Sequence, residues 1–138
     1  MTLFTSDTDR RSCINQALGC GCGAAFWALF GGIYEHFSHS VYSYFMIYAF
    51  APLLVMSLLY IYWGAFAKLP PGRAARNLLS ASAATASVGM AAKGVVVIFG
   101  STNRLLPIYI IPIALTLIAG IVCYLEEVYK YRQAIKER

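Results

Sequence analysis

The sequence predicts an all-α, polytopic membrane protein: four transmembrane helices in one bundle, with both termini on the cytoplasmic side. Three observations carry that reading. Of the 138 residues, 59% are hydrophobic and 12% charged, against roughly 45–50% and about 25% in an ordinary soluble domain. Too few charges are left to clothe a water-soluble surface, and disorder is excluded by the abundance of aromatic and aliphatic residues. Four stretches are each apolar over about the 20 residues that a helix needs to cross a bilayer. The basic residues cluster on one side of those stretches.

The first span, residues 14–34, is rich in Gly and Ala and opens on the polar pair Asn15 and Gln16. Arg10 and Arg11 before it read as a basic anchor to an uncleaved span rather than as a twin-arginine export signal. The second span, 44–67, is the most hydrophobic and contains Pro52. Proline lacks the N–H of the i→i−4 bond, so the helix should bend near residues 46–52. Pro70-Pro71-Gly72 then stops it. The third span, 78–99, is dominated by small residues and interrupted by Lys93; the fourth, 105–125, carries Pro107 and Pro112 in its first turns. None of these runs shows the period-2 alternation of a membrane barrel. Residues 126–138 should extend the fourth helix as a cytoplasmic tail along the inner membrane surface, with Glu126 and Lys130 spaced i, i+4. The whole chain, 1–138, reads as a single transmembrane domain.

Orientation follows from the lysines and arginines. Nine of them lie before the first span, between the second and third, or after the fourth; Arg104 alone lies in the other two loops, and Lys93 lies within a span. Basic residues favour the cytoplasmic side, which puts both ends inside the cell membrane. Tyr34, Tyr42 and Tyr44 mark the outer interface, and Tyr62, Trp63 and Tyr124 the inner one. The net charge of +5 is thus produced by topology and suits anionic inner-leaflet lipids, with no nucleic-acid partner required.

Several residues could carry chemistry or packing. Cys20 and Cys22, two apart, point to different sides of a helix and cannot share a metal; with Cys13 and Cys123 they read as small packing residues. Gly19 and Gly23 form a G-x-x-x-G that would let a second helix approach closely. In the third span, Ser80, Ala84, Ser87, Ala91 and Gly94 follow one side, and Ser82, Ala86, Gly89 and Lys93 the opposite side. Such a helix either sits at the centre of one bundle or joins a second copy. At the outer end of the first span, Glu35, His36 and His39 could form a polar cap, a weak divalent-metal site or a proton sensor. Lys93, about 9 Å below the outer end at 1.5 Å per residue, either snorkels or turns inward to Glu35, the only acidic residue predicted on the outer side. The inward pairing is the expectation.

The segment Tyr34-Glu35-His36-Phe37-Ser38-His39, followed by Tyr42-Ser43 and Met46-Ile47-Tyr48-Ala49-Phe50, resembles a group of small, uncharacterised four-helix membrane proteins of bacteria. The resemblance covers residues 34–50 and implies a bacterial inner-membrane setting, without an activity. The favoured function is a non-enzymatic helical-bundle subunit or homo-oligomer in the lipid bilayer, without a cofactor. Two other readings stand beside it. One is a small transporter or permease component with a Lys93–Glu35 polar site. The other is a metal- or haem-associated redox protein, which two histidines on one short segment support poorly.

Overall fold

The computed structural model describes residues 3–37, 43–67, 69–100 and 106–136. Within them lie five α-helices: α1 (Leu3–Phe37), α2 (Tyr44–Ile47), α3 (Ala51–Phe66), α4 (Arg73–Ile98) and α5 (Ile110–Lys136). Single 3-10 turns, Tyr48–Phe50 and Leu106–Tyr109, lead into α3 and α5. Counting α2 and α3 as one span, four segments are long and apolar enough to cross a membrane. The helices extend beyond the apolar runs: α1 begins well before residue 14, and α4 begins at Arg73, directly after Pro70-Pro71-Gly72. Gly72 is its N-cap, so the three residues that stop one helix also launch the next. α5 continues unbroken through the predicted tail as far as Lys136.

Pro52 tightens the backbone just ahead of it. It cannot donate to the carbonyl of Tyr48. The N–H of Ala51 donates to that oxygen instead, and an i→i+3 bond tightens the turn into the 3-10 form.

The seam between α1 and α3 explains why a helix so rich in glycine is stable here. Cys13, Ala17, Cys20 and Ala24 of α1 are buried, as are Leu53, Ser57, Tyr60 and Gly64 of α3. Both sets recur at alternating steps of three and four, the repeat that keeps a narrow stripe facing one partner. Small residues on α1 receive larger ones on α3. Trp27, Phe50 and Trp63 close over the resulting core. Gly23 belongs to this contact, because a Cβ there would stand 3.1 Å from Leu53; Gly19 does not, since its position faces open space.

α4 is the central helix. A Cβ on Gly94 would lie 2.9 Å from the backbone nitrogen of Met46, so α2 rests on the α4 main chain. A Cβ on Gly89 would meet the ring of Tyr109, just before α5, at 3.3 Å. Ala86, half-buried, lies one turn earlier on the same side. Further along, Leu79 fills the space that a side chain on Gly120 would need. The two small-residue faces of the third span are therefore both used within the chain. α5 lies at the edge of the bundle. It packs along α4 and meets α3 through the rings of Tyr124 and Trp63, 5.4 Å apart.

Two glycine substitutions should separate contact from propensity. Alanine is the better helix former by roughly 0.5–1 kcal/mol, so Gly19→Ala should hold or slightly raise the thermal stability of the purified protein. Gly94→Ala should lower it by about 1–3 kcal/mol, because its methyl group meets backbone that cannot turn aside. Melting curves in one detergent check both.

Candidate functional site

Charge in this molecule is concentrated where α1 begins, α3 ends, α4 begins and α5 ends. These four helix ends are tied together by named contacts. Arg10 donates from Nη2 to the carbonyl of Ala67 at 3.4 Å. A Cβ on Gly64 would touch Ile14, Cys13 and the Arg10 carbonyl. Glu127 of α5 accepts the N–H of Gly72 at 2.7 Å. A carboxylate at that position meets the positive end of α4 and one of its unpaired N–H groups together. A side chain on Gly72 would meet the Glu127 carboxylate and oblige it to move.

Arg76, placed one turn into α4, is 4% exposed. Its Nη1 donates to the carbonyl of Pro71 at 2.8 Å and to the Cys13 sulfur at 3.8 Å. The sequence assigned Arg76 to a loop, and burial of a guanidinium there was not foreseen.

A directional chain of hydrogen bonds leads inward from this residue. The Tyr60 hydroxyl, fully buried, donates to the Arg76 carbonyl at 2.8 Å. That uses its single hydrogen, so Ser80 is the donor in the 2.9 Å contact between the two hydroxyls. Gln16 Nε2 donates to Ser80 at 2.9 Å, and the Cys20 thiol lies 3.8 Å from the same oxygen. Ser57 adds a bond from α3 to the Ala17 carbonyl at 2.8 Å. Three helices are thereby locked by polar groups that would otherwise have to enter lipid unsatisfied.

Beside Arg76 is an open cleft of about 330 Å³ between α1 and α4. Ser12, Asn15 and Gln16 form one wall; Arg73, Arg76 and Asn77 form the other. Their spacing signals the arrangement in retrospect. Residues 12, 15 and 16 share one face of a helix, as do 73, 76 and 77, and all six are polar.

The sites expected at the opposite end take a different form. Lys93 is exposed, and its Nζ stands 3.9 Å from the centre of the Phe45 ring. This cation–π contact follows from register: Lys93 lies one turn past Gly89, where Tyr109 packs, and at its level the neighbouring element is α2, which offers aromatic rings. Glu35 is half-buried and His36 exposed, with the imidazole edge-on to Phe37. His39 lies outside the described residues. Among the described residues, no three His, Cys, Asp or Glu side chains gather as a metal site.

The hydrogen-bond chain should respond as a unit. Tyr60→Phe should cost about 1 kcal/mol of stability in detergent, since it leaves Ser80 without its acceptor. Ser80→Ala in the same background should add less than it does alone, and a double-mutant cycle on melting temperature checks the coupling.

Comparison of the chain with protein-family models, with curated proteins and with solved structures finds no match in any of the three.

Proposed function

We propose that the chain is a non-enzymatic, multi-pass subunit of a bacterial cell membrane that assembles with a second copy of itself through the outward face of α1. The observation that carries this reading is a line of small residues with nothing over it. Ala25, Ala28 and Gly32 follow one another at helical spacing, are all exposed, and Gly32 has open space within 4 Å of where a Cβ would be. Lipid chains give helices no hydrophobic incentive to associate. Close backbone approach at small residues does, through van der Waals contact. α4 uses its two small-residue faces inside the chain, and α1 keeps one free.

The charge pattern supports an orientation with the four tied helix ends in the cytoplasm. Arg10, Arg11, Arg73, Arg76, Lys130, Arg132 and Lys136 all belong to that end. The resemblance of residues 34–50 supports the bacterial setting.

Both parts can be tested directly. Mass photometry in nanodiscs should show an oligomer for the native chain and a shift to monomer for Ala28→Phe, with Leu115→Phe on α5 as the unchanged control. A monomeric native chain would sink the assembly. For orientation, an impermeant maleimide should label Phe37→Cys and Phe99→Cys on intact cells, and Ala134→Cys only after lysis. The reverse pattern inverts the topology.

A further inference from the structure

We propose that the cleft between α1 and α4 binds a single phosphate group, that of a phospholipid headgroup in the leaflet at this end of the bundle. The six described lining residues, Ser12, Asn15, Gln16, Arg73, Arg76 and Asn77, are all cationic or neutral hydrogen-bonding groups. Arginine presents a planar fork of N–H donors that matches phosphate oxygens two at a time, and amide and hydroxyl side chains complete such a shell. Arg73 stands exposed at the rim, where it can close on a ligand, while Arg76 is held rigidly in the wall by Pro71 and Cys13. The end of α4 itself is already occupied by Glu127, so recognition rests on side chains.

Depth identifies the ligand. Beyond the cleft, residues 17–37 of α1 and 78–98 of α4 each measure about 31 Å at 1.5 Å per residue. That is one hydrocarbon thickness. Both helices lining the cleft therefore place it at the level where phospholipid phosphates lie. An open cleft of about 330 Å³ accommodates a headgroup, with its acyl chains in the bilayer alongside α1.

The test uses the full chain purified in mild detergent and supplied with phosphatidylglycerol, with bound lipid counted by native mass spectrometry. The native chain should retain one lipid through washing. Arg73→Gln and Asn77→Leu, both at exposed positions, should each weaken retention, Arg73→Gln by about tenfold, the effect of losing one hydrogen bond to a charged group. Arg132→Gln, in the exposed tail of α5, should leave it unchanged. Equal losses from Arg73→Gln and Arg132→Gln would reduce the effect to general surface charge and overturn the site, as would no loss from Arg73→Gln. A parallel titration with inorganic phosphate distinguishes the source. Retention of the lipid in millimolar phosphate upholds the headgroup assignment; displacement keeps the phosphate site and overturns the lipid as its occupant.

Discussion

Close contact along α4 sets most of the architecture. At Gly94 its main chain lies against the main chain of Met46, with no room for a single methyl group, and its Leu79 side chain fills the space over Gly120 of α5. Helices in lipid gain nothing from hiding apolar surface from water, so their association depends on how many atoms come into contact and how many polar groups find partners. A thin central helix maximises the first. It also leaves polar side chains with short reaches: Ser82 and Thr85 return their hydroxyls to carbonyls of α4 itself, those of Leu79 and Ala81, at 2.8 Å each. Such groups are satisfied without a neighbour, and the helix surface can remain close-fitting.

The two ends of the bundle are held by different forces. At the basic end the contacts are directional: the buried Arg76 guanidinium bonds the Pro71 carbonyl and the Cys13 sulfur of α1, the Glu127 carboxylate takes the Gly72 N–H, and the Tyr60 hydroxyl bonds the Arg76 carbonyl. A buried cation is costly to strand, so this end tolerates little rearrangement. At the opposite end the described contacts include the close backbone approach of Gly94 to Met46 and the Lys93 ammonium over the Phe45 ring.

Four spans were legible because an apolar run of one bilayer thickness is a signal of length and composition alone. Finer features needed knowledge of rotation. Gly19 and Gly23 share a motif, yet only Gly23 touches α3, because the buried stripe on α1 passes through Ala17, Cys20 and Ala24 and leaves Gly19 on its far side. Lys93 lies in line with Ser82, Ala86 and Gly89, but the line outlasts the helix it faces. Arg76 was the largest omission. A basic residue a few positions before an apolar run looks like a loop anchor, and only the positions of α1 and α3 reveal that it is enclosed. The start of α4 could have been read from Pro70-Pro71-Gly72, since a glycine after prolines can cap as well as stop.

The 3-10 turn at Tyr48–Phe50 has a consequence for how one span serves two partners. Each residue in a 3-10 turn advances the chain by about 120° around the axis, against about 100° in an α-helix, so three residues rotate everything beyond them by roughly 60°. Ahead of the turn, Met46 lies against glycines of both neighbours, Gly31 of α1 and Gly94 of α4; beyond it, Leu53 and Ser57 lie against α1 while Tyr60 bonds α4. The span therefore serves both partners on either side of the turn. Pro52, by denying Tyr48 its usual donor, acts as a phase adjuster: one missing hydrogen atom sets how far the later residues are turned relative to the earlier ones.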